Sequence, residues 1–178
     1  MSLTSGTHAL GPDNATLTVR TKKGGAAAKA AHDLLIEVTS WRGTLELEPE
    51  ARISLIADAR SMRVREATGG MMTLGNAEKA GIEQTIDEEV LGGTAIAFES
   101  SSVQASPDGT HLSVSGELEL GGRTAPIAFE LALDGGRLTG TATVKQSDWG
   151  IKPYTALFGT LKVLDEVQVG IDASLNRS

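Results

Sequence analysis

The chain has 178 residues, 40% of them hydrophobic and 22% charged, with a formal charge of −7, which is the size and composition of one soluble domain with a core of its own. No stretch reaches the roughly 18 consecutive apolar residues of a membrane helix, and the negative charge, with Arg20, Lys22, Lys23, Arg60, Arg63 and Arg65 scattered over strand-like segments, excludes nucleic acid as a partner. Without cysteine there is no disulfide framework, thiolate metal site or thiol nucleophile.

The opening MSLTSGTHALG has no basic segment followed by an apolar one, so it does not read as a signal peptide, and a chain already trimmed of its signal would read the same way. Residues 1–7 are expected to be a leader or disordered, and the location cytoplasmic. Strands are predicted at about 15–22, 33–40, 43–48 and 51–60, the last with Ile53, Leu55 and Ala57 on one face. The alanine-rich stretch from Lys23 to Lys29 reads as a connector.

One segment breaks the strand pattern. In NAEKAGIEQTIDEEVLGG, Asn76 is an N-cap candidate, Ile82, Ile86 and Val90 recur every four residues, and Gly92-Gly93 can end a helix in the left-handed conformation. An amphipathic helix is expected over about 76–91. Gly81 within it costs roughly 1 kcal/mol relative to alanine, so the helix depends on packing its isoleucine stripe against a sheet.

From residue 94 onward the hydrophobic period is two. AIAFESSSV opens this region, and HLSVSGELEL puts Leu112, Val114, Leu118 and Leu120 on one face. APIAFELAL does the same with Ala125, Ile127, Phe129, Leu131 and Leu133, RLTGTATV with Leu138, Gly140, Ala142 and Val144, and EVQVGIDASL with Val167, Val169, Ile171, Ala173 and Leu175. Each is a strand with one buried face. The joints Pro107-Asp108-Gly109, Gly121-Gly122 and Asp134-Gly135-Gly136 are short turns, which makes successive strands antiparallel neighbours.

About eight strands and one helix give an all-β fold, and a long sheet with one apolar face must bury that face as a sandwich or a closed barrel. The inward positions include Gly116, Ala125, Gly140, Ala142 and Ala173, and the chain has only three Phe, two Trp and one Tyr. Small residues there leave room for one slender apolar ligand; the alternative is that larger side chains opposite interdigitate with them and fill the space.

Half of the aromatic residues lie in KQSDWGIKPYTALFG, where Asp148 and Gly150 set a bend and Trp149, Tyr154 and Phe158 follow. They form the rim of a barrel opening or cap the core at that end. Lys152 and Lys162 flank this loop as ordinary surface lysines or as contacts for an anionic head group. His8, His32 and His111 have no metal-ligand spacing, no nucleophile elbow accompanies His32-Asp33, and Asp87-Glu88-Glu89 reads as a solvated face. No metal, cofactor or catalytic residue is expected.

GELELGGRTAPIAFEL, together with SDWGI and the later DEV, resembles the closing motifs of the YceI-like family, also called polyisoprenoid-binding YceI domains. The likeness extends over residues 8–176 and takes in LGPDNATLTVRTKKGGAAAKAAHDLLIEVTSWRGTLEL and ISLIADARSM. It implies a lipocalin-like antiparallel barrel, one domain over 1–178, holding a long isoprenoid or similar lipid without catalysis. The expected lining is Leu112, Val114, Ile127, Phe129, Val144, Val167, Val169 and Ile171, with Trp149, Lys152, Tyr154 and Phe158 at the mouth. A ligand-free scaffold that forms a homodimer through an apolar outer patch is the alternative, and an enzyme would require His32-Asp33 to face the cavity.

Overall fold

The computed structural model describes residues 6–24, 33–47, 50–68, 76–85, 95–151, 155–156 and 161–175. Its strands are β1 (Thr7–Leu10), β2 (Ala15–Thr21), β3 (Lys23–Gly24), β4 (Asp33–Val38), β5 (Trp41–Glu46), β6 (Arg52–Ala57), β7 (Met62–Thr68), β8 (Ile96–Ala105), β9 (His111–Leu120), β10 (Arg123–Asp134), β11 (Arg137–Lys145), β12 (Thr155–Ala156), β13 (Leu161–Val163) and β14 (Glu166–Ser174), with the helix α1 (Asn76–Thr85) between β7 and β8. Eleven strands form one sheet in the order β1-β5-β6-β8-β9-β10-β11-β14-β2-β4-β7, and β12-β13-β3 form a small second one. All the pairings are antiparallel.

Three short connections determine the shape. β1 runs into β2, β4 into β5 and β6 into β7, yet in each case the two strands lie towards opposite ends of the sheet order. Connections of four residues or fewer cannot span a flat sheet of that width. The sheet therefore curls until its ends face each other, as a half-barrel.

The ladders continue around the corners. Leu10 faces Gly43 and Leu17 faces Val38, so six residues of one strand oppose four of the other. Val38 faces Met62 and Trp41 faces Ala57, with the extra residues of 58–61 taken up by a 3-10 turn. There Thr39 N and Oγ1 both donate to Ser61 O, Asp58 N donates to Ser40 O, and the Ser61 hydroxyl donates to Asp58 O. Extra residues on one strand of a pair bend it, as in a bulge. The alternation predicts about eight strands; the main sheet has eleven, β1 and β7 being among those it does not foresee.

β1 and β7 end the sheet, each paired on one side only among the described residues. The β7 edge is met by α1: Glu83 Oε2 accepts the Val64 amide at 2.8 Å, one donor that an open edge would otherwise present. The described part of the helix ends at Thr85; Ile86, Val90 and the acidic run lie outside the described residues. Among the described residues no helix is long and apolar enough to cross a membrane.

One sequence expectation needs correction. Thr7, placed in a leader, opens β1, and Gly6 O accepts the Leu47 amide. Four residues are too few for a period to register, and only pairing with β5 makes them a strand.

Candidate functional site

The inner face can be followed row by row through the register. One row runs Ile36, Val19, Val169 and Ala142, and Phe129 and Val114 stand opposite each other on the next two strands. A second runs Val38, Leu17, Ile171, Gly140, Leu131 and Leu112, and on the facing wall a third runs Gly43, Leu55, Phe98, Leu118 and Ala125.

These positions divide into two sets. Leu112, Val114, Val144 and Val167 are buried, within a core that also holds Leu45, Leu131, Leu138 and Ala173. Ile127, Phe129, Val169 and Ile171 are only partly buried and pack against that core, as do Val19, Leu55, Leu118, Leu120 and Ala125. The half-buried residues are contiguous through the register and include the small Gly140 and Ala142. An inward aliphatic strip that its neighbours leave incompletely covered is a surface for another apolar body. Alternation alone gave Leu118 and Ala125 the same face as Ile127, but only the fold separates the strip from the core behind it.

Two glycines shape this strip by what they omit. A Cβ on Gly116 would stand 2.9 Å from the Phe98 ring, and one on Gly140 would meet Leu131 Cδ2 at 2.5 Å. Phe98 occupies the room Gly116 leaves and rests on Phe129, with ring centroids 5.3 Å apart and tilted by 55°. That is a favourable aromatic geometry.

The SDWGI and DEV segments interlock. Gln146–Trp149 form a 3-10 turn closed by Gly150 in the left-handed region at φ 70°. The Asp165 carboxylate accepts from Ser147 N and Ser147 Oγ, which holds it below the usual carboxylate range, the Ser147 hydroxyl being the main cause. Gln146 N donates to Asp165 O, and Gln146 Nε2 to Leu164 O. The turn drives Trp149 into the core at 3% exposure, where Nε1 donates to Leu118 O at 2.7 Å. The Arg123 guanidinium of GGRTAPI lies against Gly150. The two motifs thus clasp one another across the β9–β10 hairpin. Lys152, Tyr154 and Phe158 lie outside the described residues, and of Lys162 only the backbone, paired in β13, is described.

Trp41 behaves differently. Its indole is 7% exposed, and Nε1 has no hydrogen-bond partner, alone among buried side-chain nitrogens and oxygens of the described residues. A buried donor left unmade is destabilising by about 1–3 kcal/mol. Nothing in TSWRGTLEL marks this, because whether an indole N–H meets an acceptor is decided by tertiary packing and not by local sequence.

Polar clusters lie elsewhere. On the exposed β8–β9 turn, Asp108 accepts from Ser106 Oγ, Thr110 Oγ1 and Thr110 N, and these bonds, that of Ser106 foremost, lower its pKa to about 2. His111 Nδ1 is bonded to Thr110 Oγ1 in the same turn, and His8 is buried on β1. His32 is outside the described residues. A broad hollow of about 600 Å³ over the outer face borders Thr16, Thr18, Arg20, Glu130, Gly170 and Asp172. Among the described residues no three His, Asp or Glu side chains converge as metal ligands.

A family model described as YceI-like domain matches residues 37–175. No curated protein matches the chain. Among solved structures, BcnA of Burkholderia cenocepacia is similar at 17% identity and a TM-score of 0.63, over 89% of this chain and 94% of that one. A Campylobacter jejuni YceI protein superposes at 12% identity and 0.61, over 80% and 84%. A polyisoprenoid-binding domain from Saccharophagus degradans, implicated in plant cell wall breakdown, superposes at 12% and 0.56, over 96% and 99%. At such identities the likeness is one of fold.

Proposed function

The chain belongs to the YceI-like domain family, and from that premise we propose that it binds a long apolar ligand, a polyisoprenoid or similar lipid, along the inner face of the half-barrel without transforming it. The observation that carries this reading is the contiguous half-buried strip through Val19, Val169, Phe129, Ile127, Leu118 and Ala125. Covering it with a hydrocarbon chain contributes about 0.8 kcal/mol per buried CH₂, and an aliphatic lining with few polar groups suits a chain more than a ring.

In this reading Ile127, Phe129, Val169 and Ile171 touch the ligand, and Leu112, Val114, Val144 and Val167 back them. Trp149 anchors the end of the half-barrel where Lys152, Tyr154 and Phe158 would form the mouth. The polyisoprenoid-binding relative from Saccharophagus degradans supports this choice of ligand class. The test is to purify the protein from an isoprenoid-rich host under non-denaturing conditions, extract it with organic solvent and analyse the extract by mass spectrometry. A prenyl or acyl lipid near one per chain is expected, and protein that carries no lipid contradicts the proposal.

A further inference from the structure

We propose that Leu131 is the end-stop of the lipid strip, the side chain against which the far end of a bound prenyl chain rests, so that it sets the longest chain the protein holds. This rests on the carrier reading above. The rows of the inner face close one after another along β11. At Ala142 the face is open: Ala142, Val169 and Val19 stand in one row and all are only partly buried, as is Phe129 on β10. One row deeper Ile171 is still partly buried, but Leu17, Leu131 and Leu112 are buried. In the next, Ala173 and Leu138 are both 0% exposed and Leu133 opposite Leu138 is buried as well. The strip runs out between Ala142 and Leu138, at the level of Leu131.

A large residue closes it by lying over one that has no side chain. Leu131 stands directly opposite Gly140, and its Cδ2 is 2.5 Å from where a Cβ on Gly140 would be. Neighbouring strands lie about 4.8 Å apart, so the tip of Leu131 sits over β11 and not over its own strand β10. There it blocks the trough that Ala142 and Gly140 would otherwise continue towards Leu138. A chain whose end has met this plug gains nothing by growing, since each further methylene stays in water.

The test titrates the intact protein, Leu131→Ala and Leu138→Ala with prenyl alcohols of increasing length. In the parent, affinity levels off at a length that the series itself defines. Leu131→Ala trims the stop, and its affinity should level off one isoprene unit later, with a gain of about tenfold for that unit, the factor that about two further buried methylenes supply. Leu138→Ala opens an equal space behind the stop and should level off where the parent does. If Leu131→Ala does not fold, the unmodified chain with ¹³C-labelled leucine methyls decides. The Leu131 methyl resonances should move with the alcohol of plateau length and stay with a shorter one, while those of Leu138 stay with both. A plateau unmoved in Leu131→Ala, one moved equally in Leu138→Ala, or Leu131 methyls that the plateau-length alcohol leaves in place overturns the end-stop and leaves the carrier reading standing. Binding of no alcohol at any length overturns both.

Discussion

A methyl group on Gly116 would stand 2.3 Å from Glu99 O and 2.7 Å from Ser100 Cα, beside the point where the β8 register shifts between Ser100 and Ser102. Backbone cannot retreat from such a contact as a flexible side chain could. Gly116→Ala should therefore destabilise the fold by about 1–3 kcal/mol, read as a lower urea midpoint at unchanged slope. Trp149→Phe keeps an aromatic core residue but removes the Nε1–H bond to Leu118 O, and a loss of about 0.5–1.5 kcal/mol is expected in the same assay. Asp108 has a folded pKa of about 2 against an ordinary 3.8, so its hydrogen bonds stabilise the turn fully above the ordinary value. That contribution is lost as the pH falls through about 2. Urea midpoints measured at successive pH values should fall less steeply over that window in Asp108→Ala than in the parent. Which residues face inward was legible in the alternation, as Ile127 and Val169 illustrate. What Asp165 clasps and what Trp41 lacks was not, because hydrogen-bond partners eighteen positions away, like any missing partner, leave no local trace.

At the scale of elements, β8 to β11 and β14 were plain in the sequence. Each carries a long run of alternation, and glycine turns join β8 through β11 in sequence. The Gly121-Gly122 pair, with φ of 60° and 81°, has the left-handed backbone of a two-residue hairpin loop, which fixes the register from Leu120 and Arg123 down to Leu131 and Leu112. The amino-terminal half was harder to read because its strands bend. Where the chain turns a corner the alternation is interrupted, so β5 and β6 were foreseen, while β7 emerges only through its pairing with β4. α1 packs at that edge, and Glu83 is its described tie to the sheet. Glu83→Ala should leave the curled sheet folded and speed hydrogen exchange at the Val64 amide. An amide equally protected in the variant would show that other contacts hold the edge.

For the whole molecule, a single antiparallel sheet curls upon itself because three chain segments pass between its two ends within four residues or fewer. Curling buries Leu45, Leu131 and Leu138 while the strip beside them stays partly uncovered. The class of fold was legible from alternation and turn spacing, and the motif resemblance pointed to the family. The division of the inner face into core and strip required coordinates. If the strip holds a chain-like ligand, affinity must grow with chain length, since each added methylene buries more apolar surface until the half-barrel is filled. Calorimetric titration with a series of prenyl alcohols of increasing length tests this most directly. Affinity should rise steeply with each isoprene unit and then level off at one ligand per chain, whereas an affinity indifferent to length, or no binding at any length, would contradict it.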